Sequence, residues 1–200
     1  MKKFLGLAIL TILVAAPSWL MAQEGGNYDH ASVGIFADYF RFDPTSDAKA
    51  TNFIGFGARA GFNASHNVAI EGEMNYDFER NFTTVCNNCI NSSFTTTRLR
   101  PVTGLFGPKF QTPGPFKFFV TTKVGFINFT QTHAAVTPGT FGNAVSSVGG
   151  PGTHFAMYPG AGLEGFWGPF GLRLEAGDEV YLSNGAHNNL RVTFGPQLRF

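Results

Sequence analysis

The sequence predicts an all-β chain folded as an eight-stranded antiparallel up-and-down transmembrane β-barrel. Three observations predict it. Apolar and polar residues alternate with period two over most of the chain, the spacing that puts successive side chains on opposite faces of a strand. The segments between the alternating runs are long and short in turn, as in a meander with one ragged end and one trimmed end. The composition holds Gly 25, Pro 11 and Phe 23 in 200 residues, with 14% charged residues, which disfavours long helices and supplies turns and aromatic surface.

Other classes are excluded by the same numbers. A chain that is 44% hydrophobic and 15% aromatic has too much to bury to stay disordered. Past the N-terminus no apolar run approaches the ~20 residues of a spanning helix. The net charge is +1, with no basic patch for nucleic acid.

The N-terminal segment reads as an export leader. Lys2 and Lys3 form a positive start, Phe4 to Ala16 is apolar but for Thr11, and Trp19-Leu20-Met21-Ala22 precedes polar Gln23-Glu24. Cleavage after Ala22 leaves a single domain, residues 23–200, with a net charge of +1 − 2 = −1. No cysteine follows the run, so lipid attachment there is not expected.

Eight strands follow. Residues 51–62 set Ile54, Phe56, Ala58, Ala60 and Phe62 against Gly55, Gly57, Arg59 and Gly61. Residues 68–79 set Val68, Ile70, Met74, Tyr76 and Phe78 against Glu71, Glu73, Asn75, Asp77 and Glu79. Residues 116–129 oppose Phe116, Phe118, Val120, Val124 and Phe126 to Lys117, Thr121, Lys123 and Gly125. Residues 170–181 oppose Leu172, Leu174 and Ala176 to Arg173, Glu175, Gly177 and Glu179. The last run is the cleanest: Leu190, Val192, Phe194, Leu198 and Phe200 alternate with Arg191, Thr193, Gly195, Gln197 and Arg199. Weaker runs lie at 31–42, 96–110 and 154–167, and Pro101 and Pro108 interrupt the second of these. Tight turns are expected at 63–66, 112–115 and 168–169, and longer loops at 43–50, 80–95, 131–152 and 183–188.

Alternation alone does not say which face is wet. A soluble carrier barrel would turn its apolar face inward. Three features favour apolar outward. Glycines at 34, 55, 57, 61, 104, 125, 160, 162, 177 and 195 share the polar face, as a crowded eight-stranded lumen requires. Aromatics gather at strand ends, with Tyr39, Phe42, Tyr76, Phe78, Phe129 and Tyr181 towards one rim. Phe62, Phe110, Phe116, Trp167, Phe170 and Phe200 lie towards the other. The most regular strand ends on Phe200.

That terminal run, Leu190 to Phe200 with Leu198 and Phe200 in phase, resembles the C-terminal signal by which the barrel assembly machinery recognises outer-membrane barrels. With the leader and eight strands, residues 28–200 resemble the outer-membrane β-barrel families of OmpA-like, OmpX-like and OmpW-like proteins. The resemblance implies a bacterial outer-membrane location, outer-membrane lipids as partners, a monomer and no cofactor. It does not extend to a periplasmic peptidoglycan-binding domain, so a cell-wall anchoring role is not inherited.

Inside such a barrel the polar face carries both signs: Arg59, Arg98, Arg100, Lys117, Lys123, Arg173, Arg191 and Arg199 against Glu71, Glu73, Asp77, Glu164, Glu175 and Glu179. Unpaired, each would cost several kcal/mol, so a charge network across the lumen is expected, with an ion pathway as the alternative. Cys86-Asn87-Asn88-Cys89 fits a local disulfide in an exported loop; a redox pair or half a zinc site lacks the context it needs. His154 or His187 with Ser183 and Asp178 or Glu179 is the one constellation that would allow surface catalysis, at unspecific spacing. No enzymatic activity is expected. The loops 80–95 and 131–152, rich in Asn, Thr, Gly and Ser, suit contact with an extracellular ligand. A structural or surface-interaction role is therefore expected, with a narrow channel next, then lipid A modification, and a soluble carrier last.

Overall fold

The computed structural model describes residues 29–43, 50–85, 94–132, 152–183 and 185–200. The expected leader and Cys86 and Cys89 lie outside the described residues. The strand segments are β1 (Ala31–Phe42), β2 (Thr51–Asn63), β3 (Val68–Asp77), β4 (Arg80–Val85), β5 (Phe94–Gln111), β6 (Phe116–Thr132), β7 (Gly152–Trp167), β8 (Phe170–Asp178), β9 (Val180–Leu182), β10 (Ala186–His187) and β11 (Leu190–Arg199). Short breaks divide β3 from β4, β8 from β9 and β10 from β11, so these segments make eight strands of a closed barrel.

Every pairing around the ring is antiparallel, β1 to β2, β3, β5, β6, β7, β8, β11 and back to β1. The closing pair runs from Ser32↔Arg199 to Arg41↔Leu190. Closure leaves no open edge in the ring, the condition for placing a sheet in hydrocarbon. At one end the turns are tight: Val68 carbonyl accepts from Ala64 and Ser65 N–H at 2.9 and 3.0 Å. Gly114 (φ 112°) and Gly168 (φ 65°) take left-handed conformations that the other two turns need.

The other end is uneven. β5, β6 and β7 run 18, 17 and 16 residues, against 12 for β1 and 9 for β8. The described parts of the segment expected as a loop at 80–95, residues 80–85 and 94–95, are strand instead: β4 pairs with β5 from Arg80↔Leu99 to Val85↔Phe94. On the far side of β7, β9 pairs from Phe155↔Leu182 to Met157↔Val180, and β10 pairs with β9. Beyond the ring the order is thus β4-β5-β6-β7-β9-β10, with β4 and β10 unpaired on their outer sides among the described residues. Residues 80–85 are Thr- and Phe-containing and β-prone, which is why they propagate the hairpin rather than loop.

The wet-face question is decided by exposure. Ile35, Phe56, Met74, Phe106, Leu163 and Phe194 stand on the outer wall, each more than half exposed, while charged residues fill the interior. A continuous apolar wall of this size belongs against lipid, not water. The soluble-carrier alternative, which needs the reverse polarity, is overturned. Phe62, Phe110, Phe116, Trp167, Phe170 and Phe200 form the expected aromatic belt at the short-turn end. At the opposite end only part of the belt faces out. Tyr76 and Phe78 do, but Phe42, Phe129 and Tyr181 point inward and are almost fully buried. Their parity along the strands matches the polar face, so they sit in the lumen although they are aromatic.

Candidate functional site

The lumen is the densest chemical feature of the chain. Alternation sends Glu71 and Glu73 inward from β3, Lys109 from β5, Lys123 from β6, Glu164 from β7, Arg173 and Glu175 from β8, Arg59 from β2 and Arg191 from β11. They form one connected lattice. Arg173 holds Glu71 through Nη1 and Nη2 at 2.6 and 2.9 Å, Glu164 through Nη1 at 2.6 Å, and Glu175 through Nη2 at 2.6 Å. The Lys109 ammonium bridges Glu71 and Glu164 at 3.0 and 2.9 Å. The Lys123 ammonium bridges Glu73 and Glu175 at 2.8 and 2.9 Å. Arg59 joins the same two acids at 2.7 and 2.9 Å. Arg191 then links Glu73 at 3.1 Å to Asp38 at 3.2 Å and Glu179 at 3.3 Å, and Thr103 donates to Glu179 at 2.9 Å. Each charge of this lattice therefore meets partners that offset much of its desolvation.

Glycines make room for this lattice, and aromatic rings occupy the room. A Cβ on Gly57 would run into the Phe36 ring, one on Gly162 would lie 2.5 Å from Phe119, and one on Gly177 2.7 Å from Tyr158. Those rings in turn face the cations: Arg173 lies 4.0 Å from the Phe119 centroid, Arg59 4.7 Å from Phe36, and Lys123 and Arg191 each 5.4 Å from Tyr158. A missing side chain on one strand thus becomes a cation–π contact from its neighbour. Gly104 departs from the expected set, since it lies on the outward face beside Phe126.

Towards the long-loop end the lumen turns apolar. Phe40, Phe42, Phe53, Leu99, Ile127, Phe129 and Tyr181 form one buried cluster. Phe42 and Phe129 have centroids 5.5 Å apart, and Phe129 meets Tyr181 edge-on at 5.2 Å. The charge lattice thus lies under an aromatic plug.

The expected residues divide into groups. Arg59, Glu71, Glu73, Lys123, Glu164, Arg173, Glu175, Glu179 and Arg191 meet in the lattice. Asp77 is buried beside it, with Asn75 Nδ2 at 3.4 Å and no cation in ion-pair range among the described residues. Lys117 and Arg199 stand at the short-turn mouth over the Phe166 ring, Arg199 pairing with Asp29 at 3.0 Å. Arg98 and Arg100 are corrections: they face outward on β5, because Leu99, Pro101 and Thr103 hold the inward parity. Leu198 and Phe200 lie on the outer wall, and the Phe200 and Ala31 backbones bond each other at 2.9 and 3.0 Å.

Asp38 and Lys109 were missed. Both sit at period-two positions, Asp38 between Phe36 and Phe40 and Lys109 between Gly107 and Gln111. Parity counted outwards from Thr103 or Gly34 would have found them. The catalytic constellation does not assemble. Glu179 is committed to Arg191, Asp178 accepts from the Asn189 N–H at 2.8 Å, and His187 Nε2 meets the Ser183 backbone carbonyl at 2.9 Å. His154 and His187 instead pack on the Tyr181 ring at 6.0 and 5.0 Å.

The outward apolar wall, the closed ring and the charged interior together place the fold. It is that of the small outer-membrane barrels. The structure is similar to Ail, the attachment invasion locus protein of Yersinia pestis, at TM-score 0.53 and 14% identity over 86% of this chain and 97% of that one. It is equally similar to Neisserial surface protein A, at TM-score 0.53 and 12% identity over 85% and 97%. No family model and no curated sequence matches the chain. At such identity the likeness shows the fold.

Proposed function

We propose that this chain is a monomeric, non-enzymatic protein of the bacterial outer membrane whose plugged barrel carries a protruding sheet for contact with an extracellular partner. The observation that carries the reading is the sheet itself. β4 continues past the ring and offers one full row of backbone N–H and C=O groups that no described strand takes up. Such an edge pairs readily with an extended segment of another chain. The lattice and plug below it are what a rigid support needs: a packed interior that does not collapse when the sheet is loaded. Export through the leader 1–22 and insertion by the barrel assembly machinery complete the reading. The names of the two similar structures, an attachment protein and a surface protein, agree with it.

Cells displaying the whole chain test this. Adhesion to host cells and matrix should fall to background when Thr83 and Thr84 are both changed to proline, while the heat-modifiable band of the barrel persists. Undiminished adhesion would sink the role of the edge. The channel alternative predicts discrete conductance steps from the refolded protein in planar bilayers. The lattice and plug predict none.

A further inference from the structure

The two arginines that leave the lumen set are the starting point. On β5, Arg98 and Arg100 face outward near the top of the apolar wall, where β4, β5, β6 and β7 begin to rise above the ring. Arg98 is exposed and Arg100 half-buried, and neither meets a carboxylate among the described residues. Arg100 Nη1 donates to the Tyr76 hydroxyl at 3.1 Å, while its buried Nε has no acceptor. Tyr76 is anchored in turn by Phe56 and Phe78, at centroid distances of 5.8 and 6.4 Å. The Arg100 guanidinium, 5.2 Å from the Tyr76 ring centroid, and the exposed Arg98 two residues further along β5 occupy the level where a bilayer changes from hydrocarbon to headgroup.

The neighbouring strands add hydroxyls and an amide at the same level. Arg100 pairs in register with Thr130, and Val102 with Asn128. Asn128 Nδ2 donates to Thr153 Oγ1 at 2.7 Å, and Thr130 Oγ1 donates to Asn128 Oδ1 at 3.3 Å, all three on the outer face. Below them Val102, Phe126 and Phe155 continue the apolar wall.

We infer that this patch binds the phosphorylated sugar headgroup of an outer-leaflet glycolipid, with Arg98 and Arg100 on the phosphate and the Asn128-Thr130-Thr153 row on sugar hydroxyls. Two guanidinium groups without a carboxylate partner among the described residues suit an anion, and their planar fork suits phosphate. The adjoining row of neutral donors and acceptors suits a polyol, and the wall below accepts acyl chains. The inference rests on the membrane reading above. It names which lipid that surface selects, and where.

The test uses the refolded full-length mature chain in detergent micelles, titrated with lipid A bearing both phosphates, lipid A stripped of phosphate, or phosphatidylglycerol, and read by native mass spectrometry. Phosphorylated lipid A should bind best, and Arg98→Gln and Arg100→Gln should each lower its apparent affinity about tenfold, a loss of about 1.4 kcal/mol. The circular dichroism of the barrel should be unchanged, because neither arginine joins the lattice. Equal binding of stripped lipid A, or wild-type affinity in the Arg98→Gln/Arg100→Gln double variant, would overturn the phosphate contact. Equal binding of phosphatidylglycerol would overturn the assignment to a glycolipid. Failure of the wild type to enter bilayers of any composition would instead overturn the membrane reading on which the inference stands.

Discussion

Replacing Arg191 by methionine isolates what the lattice contributes. Arg191 is the one cation in ion-pair range of Asp38 and of Glu179 among the described residues, whereas Glu73 also has Arg59 and Lys123. The variant therefore leaves two buried carboxylates without a cation, one supported by Asn75 and one by Thr103. Breaking one buried pair costs about 3–5 kcal/mol, so orphaning two acids should cost about 5 kcal/mol or somewhat more. Arg173→Met is the comparison. It removes more hydrogen bonds, yet Glu71 and Glu164 keep Lys109, and Glu175 keeps Lys123 and Arg59. Its cost should lie near the lower end, about 3 kcal/mol. The assay is urea unfolding of the barrel refolded into vesicles, followed by the mobility difference between boiled and unboiled samples. With a slope of about 2 kcal/mol per M, Arg191→Met should lower the midpoint by about 2.5 M. Neutralising the orphans in Arg191→Met/Asp38→Asn/Glu179→Gln should restore more than half of that shift, since neutral amides cost far less to bury than unpaired charges. A single-variant shift below that of Arg173→Met, or a triple variant no more stable than Arg191→Met, would refute the reasoning.

Two further outcomes follow from the packing and the terminal strand. Gly57→Ala should destabilise the barrel by about 1–3 kcal/mol because its Cβ meets the Phe36 ring, and the double variant with Phe36→Ala should cost less than the sum of the two singles in the same urea assay. Phe200→Ala should lower the amount of barrel in the outer-membrane fraction of cells several-fold, yet leave the yield of refolding into vesicles unchanged. An equal loss in both would assign Phe200 to stability rather than to assembly.

Much of the barrel was legible because two-residue alternation is a local property. Leu190 to Phe200 shows its two faces without reference to any other strand, and the pairings of β11 with β1 and β8 keep that phase. Local phase failed where the strand was irregular. In β5, Pro101 and Pro108 blurred the alternation, so Arg98 and Arg100 were placed inside, Lys109 was overlooked, and Gly104 was put on the wrong face. Residue type also misled. Phe42, Phe129 and Tyr181 look like belt residues by composition and by nearness to strand ends, yet their parity turns them inward, where they meet one another and Phe53.

The sequence by itself determined the strands, their number, the two ends of the barrel and most members of the interior set, because turn residues and alternating polarity act over a few neighbouring positions. Only the tertiary structure decided which acid meets which cation. Arg173 and Glu71 are 102 residues apart, and Arg191 and Asp38 are 153 apart. Their meeting depends on closure, register and strand tilt, which are set by the whole ring together. The assembled sheet likewise decided that β4 keeps an unpaired outer side among the described residues, and that Arg98 and Arg100 face outward rather than into the lumen.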